Sequence, residues 1–137
     1  MRILLLTMMF LSTSWCAGAQ TSDTHPATGK YNVYRVDGHG NGTNAFDFTL
    51  IRKSSDSKTG LYELAVGKDA KDKSQSTGEY QYNAATKTIT WLSGPFATDD
   101  QYKPGPANRD AGKVISKGSG YIITLNNSYK ATNNPQL

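Results

Sequence analysis

Histidine is the scarcest catalytic resource in this chain. His25 and His39 are the only two. A Ser-His-Asp hydrolase needs one of them held rigidly beside a serine and a carboxylate, and no Gly-x-Ser-x-Gly elbow is present to present such a serine. His25 falls in a stretch of Thr, Ser, Asp and Pro, and His39 in the run Asp37-Gly38-His39-Gly40-Asn41-Gly42, where it reads as an exposed loop residue. That run has the glycine density of a phosphate-binding loop. However, no Gly-Lys-Ser/Thr follows it, and no βαβ unit is present to aim a helix N-terminus at a phosphate. Asp99, Asp100 and Asp110 could offer hard oxygen ligands to calcium, but their spacing is not that of an EF-hand. Zinc is poorly served by two separated histidines and one cysteine, Cys16. A glycosidase needs two carboxyl groups facing each other at about 5–10 Å. Glu63 and Glu79 instead fall at outward strand positions, where a carboxylate serves solubility. No cofactor is expected.

Aromatic side chains are the remaining handle. Phe96 and Tyr102 lie in the longest loop, Ser93–Gly112, beside Pro95, Pro104 and Pro106. A loop of about 20 residues in a small domain is usually functional or disordered. Rings on a proline-stiffened loop could form a stacking platform for a sugar or a hot spot for a protein. With Asp99, Asp100 and Arg109 as polar neighbours they make up the candidate ligand-binding set. The same rings could instead fold back and cap one end of the domain.

The elements that must position them are short strands. From Thr28 onward apolar residues alternate with polar ones, and no helical stripe of useful length appears. Strands are expected at Lys30–Asp37, Ala45–Lys53, Leu61–Gly67, Gly78–Asn83, Lys87–Leu92, Lys113–Lys117 and Gly120–Asn126. Phe46, Phe48 and Leu50 share a face. So do Tyr62, Leu64 and Val66, Tyr80 and Tyr82, Ile89 and Trp91, and Tyr121, Ile123 and Leu125. One apolar face per strand marks an antiparallel sheet with a single core. Thr-Gly-x-Tyr occurs at Thr28–Tyr31, Thr59–Tyr62 and Thr77–Tyr80, and its glycines are expected to supply the positive φ of tight turns. The fold expected is all-β: an antiparallel meander of seven or eight short strands, closed or nearly closed into a barrel, with a two-sheet sandwich as the alternative. Polar, mixed-sign Lys68–Thr77 reads as a solvated hairpin end.

The chain has 137 residues and a formal net charge of +4. Residues 1–19 carry one positive charge at Arg2, an apolar run Ile3–Leu11 and the small-residue ending Ala17-Gly18-Ala19. This matches a secretory signal peptide cleaved after Ala19, and the apolar run is too short to span a bilayer core of about 30 Å. The exported chain, periplasmic or secreted, then begins at Gln20 and carries a charge of about +3, too weak and scattered for a nucleic-acid footprint. Cys16 leaves with the signal, so no disulfide and no thiol chemistry are expected. The alternative, a lipidated Cys16, is disfavoured by Trp15 immediately before it. Residues 20–28 read as a flexible lead-in, 29–130 as one β domain and 131–137 as a flexible tail, with no transmembrane segment in the mature chain.

The run Gly78–Phe96, in which a Gly-x-Tyr strand turns into Ile89-Thr90-Trp91 and ends in Ser93-Gly94-Pro95, resembles the hairpin of small exported β domains found in many bacterial proteins of unknown function. The resemblance implies an exported β domain and no particular activity or site residue. The meander is also similar in architecture to lipocalins and avidins, without their defining motifs. The expected function is non-enzymatic recognition of a glycan or small molecule through the loops. The alternatives are an inhibitor or structural subunit whose partner is an envelope protein, and a small hydrolase using loop carboxylates.

Overall fold

The computed structural model describes residues 25–54, 58–65 and 76–134. Residues 1–19, the rest of the lead-in, most of the Lys68–Thr77 loop and the last three residues lie outside that set. The strands are β1 (Gly29–Val36), β2 (Gly42–Arg52), β3 (Thr59–Leu64), β4 (Thr77–Asn83), β5 (Thr88–Trp91), β6 (Val114–Lys117), β7 (Gly120–Thr124) and β8 (Tyr129–Thr132), with a single helical turn, α1 (Pro95–Thr98), after β5. All strand pairs are antiparallel and form one eight-stranded sheet in the order β5-β4-β3-β2-β1-β8-β7-β6. The two outer strands then meet. Thr88 bridges Lys113, the Ile89 N–H donates to Gly112 O at 2.7 Å, and the Val114 N–H donates to Lys87 O at 2.9 Å. The sheet is therefore barrel-like and nearly closed, which removes the open edges that would otherwise invite pairing with other chains.

The alternation read from the sequence is the alternation of burial. Tyr31, Val33, Phe48, Leu50, Tyr62, Tyr80, Tyr82, Ile89, Trp91 and Ile123 all point into one core, while Glu63 and Glu79 face out. Each inward ring removes roughly 150–250 Å² from water, and the rings touch one another. Tyr31 stacks on Phe48 at 5.3 Å, and Trp91 meets Tyr62 edge-on at 5.0 Å. The interior is filled by side chains.

Two boundaries differ from expectation. β8 was hidden because Tyr129-Lys130-Ala131-Thr132 is short and polar; it exists because β1 and β7 hydrogen-bond to it from both sides. Ala131 and Thr132, expected in the loose tail, are accordingly buried. At the other end, His25 and Pro26, expected in the loose lead-in, are buried as well.

The Thr-Gly-x-Tyr glycines also do something other than expected. Gly29 has positive φ, but Gly60 and Gly78 do not and lie inside strands. Gly60 is the cross-strand partner of Tyr80, and Gly78 is that of Tyr62. A Cβ on Gly78 would lie 2.5 Å from the Tyr62 ring and 2.3 Å from Ser93 O; one on Gly60 would lie 2.4 Å from the Tyr80 ring and from Ile51 O. The repeat is a packing device: each glycine leaves room for the tyrosine of the neighbouring strand to lie across its backbone.

Candidate functional site

The Ser93–Gly112 loop turns its rings inward. Pro95 starts the one-turn helix α1, and Phe96 drops into the barrel end with 0% exposure. It stacks on Tyr62 at 4.7 Å with planes 7° apart, and meets Trp91 at 4.8 Å and Phe48 at 5.1 Å edge-on. The Tyr62 hydroxyl ties this plug to the sheet, donating to Ser93 O at 2.7 Å and accepting from the Phe96 N–H at 2.9 Å. Tyr102 is half-buried, edge-on to Phe46 at 5.0 Å and to Tyr129 at 5.3 Å, and burial raises the pKa of its hydroxyl. Gln101 fastens the loop to the β8 side, its Nε2 donating to the Tyr129 hydroxyl at 2.8 Å and its carbonyl accepting from Asn126 Nδ2 at 2.9 Å.

The polar members of the candidate set stay outside. Asp99 Oδ1 accepts from the Gln101 N–H at 2.9 Å, which shapes the turn after α1. Asp100 pairs with Lys103 at 2.5 Å, and hydrogen bonding to that ammonium lowers its pKa. Asp110 is treated the same way by Lys113 at 2.8 Å. Arg109 is exposed, its backbone N–H donating to Ala107 O at 3.2 Å. Thus Phe96 is core, Tyr102 is a partial seal, and Asp99, Asp100 and Arg109 are exposed surface groups. Carboxyl groups with lowered pKa are poor proton donors at neutral pH. Among the described residues no three His, Cys, Asp or Glu side chains cluster closely enough to hold a metal ion.

Concave surface occurs in several places, among them around residues 25–28, which run near Arg52 and β4 as a strap. A cavity of about 620 Å³ is walled by His25, Arg52, Lys58, Gln81, Tyr82, Thr88 and Thr90, among others. A second, of about 500 Å³, is walled by His25, Pro26, Thr28, Thr49, Arg52 and Ser54, among others. His25 is 4% exposed. Its Nδ1 lies 2.6 Å from Pro26 O and its Nε2 lies 2.8 Å from the Tyr80 hydroxyl. A carbonyl can only accept, so Nδ1 carries the proton, and in the neutral ring Nε2 then accepts from the Tyr80 hydroxyl. The ring also sits 5.4 Å from the Tyr82 ring, edge-on. Behind it, the Tyr31 hydroxyl donates to Ala27 O at 2.7 Å. Arg52 is engaged within the fold. Sequence reasoning missed His25 because its partner Tyr80 is 55 positions away, and no local signal marks so distant a contact.

Burial raises the Tyr62 and Tyr80 hydroxyls to about 12, opposed at Tyr62 by the Phe96 backbone hydrogen bond and at Tyr80 by the Arg52 guanidinium. Burial also raises Tyr31. Below the ordinary phenol pKa of 10.0, folded and unfolded chains both keep these protons and the stability is fully present. Above it the unfolded chain ionises first and binds fewer protons, so stability falls with rising pH, by up to about 1.4 kcal/mol per pH unit for each tyrosine. Urea midpoints measured from pH 8 to 11.5 should hold steady and then fall above pH 10, less steeply in Tyr62→Phe. An unchanged slope in that variant would remove Tyr62 from the account.

Comparison with protein-family models, curated proteins and solved structures finds no match for this chain. The functional reading rests on the geometry alone.

Proposed function

We propose that this chain is an exported, non-catalytic recognition domain of the small bacterial β-domain kind, which binds a hydroxyl-rich ligand, a glycan, at the strap end of the barrel. The observation that carries the reading is where room exists. Aromatic rings fill the interior, so a ligand has to be met from outside. The larger of the two cavities beside the strap is lined by groups that exchange hydrogen bonds with hydroxyls: Gln81, Asn83, Thr88 and Thr90. Ligand sites are concave surfaces with a few convergent polar groups on a rigid scaffold. Lys58 adds positive charge, and no carboxylate stands among the described lining residues. That balance favours an acidic sugar over a neutral one.

The test is a thermal-shift and calorimetric panel of neutral and uronate-containing oligosaccharides. At about 100 times its dissociation constant a ligand that binds only the folded chain adds about 2.7 kcal/mol. Binding by the acidic sugars should weaken in Lys58→Ala and in Gln81→Ala, with Asp100→Asn, on the opposite loop, as the unaffected control. No binding in any arm would overturn the reading.

One observation favours a second reading, a protein partner. Ile51, Leu61 and Leu92 are large, apolar and 40–50% exposed, and strand register pairs Ile51 with Leu61 and Leu61 with Glu79, whose carbonyl accepts the Leu92 N–H at 2.8 Å, which aligns them across the outer face. Capture of an envelope protein by the wild-type chain but not by Leu61→Asp would favour this reading over the glycan.

A further inference from the structure

The chain contains a single Asn-Gly step, Asn41-Gly42, and it lies where the turn after β1 enters β2. We propose that Asn41 is a self-modification site. Its carboxamide is converted without an enzyme into a mixture of aspartate and isoaspartate, which sets a second carboxylate against Asp37 and loosens the turn. The site stands at the far end of β1 from the strap, so the proposal is independent of the glycan reading.

The chemistry is a cyclisation on the backbone. The Gly42 amide nitrogen, having given its proton to solvent base, attacks Asn41 Cγ. A C–N bond forms, the Cγ–Nδ2 bond breaks, and ammonia leaves after taking a proton from water. Water then opens the five-membered imide at one of its two carbonyls. Opening at Cγ leaves aspartate in place of asparagine, whereas opening at the backbone carbonyl leaves the chain running through the side chain as isoaspartate. Water is the only co-reactant, and nothing is oxidised or reduced. Glycine suits the following position because it has no Cβ to hinder its nitrogen or restrict the turn of the backbone.

The fold leaves that nitrogen available. Asn41 and Gly42 are both exposed. The Asp37 N–H donates to Asn41 O at 3.0 Å, and the next pair along the hairpin is Val36 with Gly42. The Val36 N–H, however, donates to Ser128 O at 2.7 Å, on the β8 side. Val36 and Gly42 are therefore a non-hydrogen-bonded pair, and the Gly42 N–H points away from β1. On its other side β2 meets β3 only farther along, where Leu64 lies opposite Phe48 and the Ala65 N–H donates to Asp47 O. Neither neighbouring strand, among the described residues, ties the attacking nitrogen into its ladder. The carboxamide is lightly held as well. Asn41 Nδ2 donates to Asp37 Oδ2 at 3.2 Å on the exposed surface, where water competes for both partners and the net gain is small.

The product would disturb its surroundings. Asp37 Oδ1 accepts the Asn41 and His39 N–H groups, both at 2.9 Å, and Oδ2 accepts Asn41 Nδ2. These bonds, those from Asn41 foremost, hold the Asp37 carboxyl below its ordinary range. Deamidation replaces the Nδ2 donor by a carboxylate, so like charges face each other across what was a hydrogen bond. Isoaspartate also adds an atom to the main chain beside the Asp37–Asn41 bond.

The experiment is ageing of the purified, folded protein at 37 °C, at pH 7.4 and pH 9, followed by tryptic mapping. Cleavage after Arg35 and Arg52 yields the peptide Val36–Arg52, which carries Asn44 as an internal reference. The expected result is a gain of one mass unit that fragmentation places at residue 41, with both aspartate and isoaspartate present there. It should be faster at pH 9, because the nitrogen must lose its proton, and absent at Asn44. Isomerisation at Asp37-Gly38 leaves the mass unchanged and cannot imitate it. Gly42→Ala should nearly abolish the gain while keeping the fold by circular dichroism. Gly42 does not have positive φ, and an added Cβ would meet only Tyr34, at 3.4 Å or more. In the aged protein the NMR amide signal of His39 should move and those of Tyr62 and Phe96 should stay. Residue 41 unchanged in the folded protein would overturn the proposal. So would an equal gain at Asn44, or an undiminished rate in folded Gly42→Ala. Conversion with an unmoved His39 signal would overturn the loosening of the turn.

Discussion

Phe96→Ala should cost about 3–5 kcal/mol, the range for truncating a large buried ring, and lower the Tm by roughly 10–20 °C. The side chain is wholly buried, with the Tyr62 ring parallel, Trp91 and Phe48 edge-on, and Phe46 and Tyr102 farther off at 6.2 Å. Alanine would leave a void among groups that cannot collapse into it, because Tyr62, Trp91 and Phe48 are each anchored in a different strand. Tyr62 is pinned further by its hydrogen bond to Ser93 O. Thermal unfolding followed by circular dichroism checks the prediction. A loss below 1 kcal/mol would mean that the loop swings free of the barrel and offers Phe96 to solvent, as the ligand-platform reading of the sequence requires. Tyr102→Ala, at a half-buried site, should cost less than Phe96→Ala.

Gly78→Ala should destabilise by about 3 kcal/mol or more. Replacing glycine by alanine in compatible backbone ordinarily stabilises by about 0.4–1 kcal/mol through the unfolded chain, so the opposite sign is itself the diagnostic. The added methyl would sit 2.3 Å from Ser93 O and 2.5 Å from the Tyr62 ring. The carbonyl cannot turn aside cheaply, because it accepts the Tyr62 hydroxyl, and overpacking of this kind costs about 1–3 kcal/mol even where side chains alone must yield. Gly38→Ala is the control: nothing lies within 4 Å of its new Cβ, and its effect should stay within about 0.5 kcal/mol. Urea denaturation of the pair provides the comparison. Because Gly78→Ala displaces the ring on which Phe96 stacks, the double variant with Phe96→Ala should be less destabilised than the sum of the two. Strict additivity would show that the Tyr62 ring does not transmit the strain.

Much of the barrel was legible along the chain. Tyr80 and Tyr82 flank Gln81, and Phe46, Phe48 and Leu50 flank Asp47 and Thr49, so the inward face of each could be read from neighbours two apart. The four residues of β8 carry too little of that signal to stand out. The Thr-Gly-x-Tyr repeat was visible as a repeat but misread as turn chemistry, because the ring that needs each glycine lies on another strand. The candidate site was the least legible part. Phe96 and Tyr102 stand out along the chain as rings in a long loop, yet nothing local says whether a loop ring faces solvent or plugs a barrel.

The sequence by itself determined the all-β class, the faces of the strands and the scarcity of catalytic groups, because a period of two and a residue count are local properties. Only the tertiary structure decided that Gly112 and Val114 meet Ile89 and Lys87 to bring the outer strands together, that Phe96 fills one end, and that His25 reaches Tyr80. Each of these joins residues far apart in the chain. Such contacts are chosen by the shape and hydrogen-bonding needs of the assembled barrel, which no stretch of sequence contains alone.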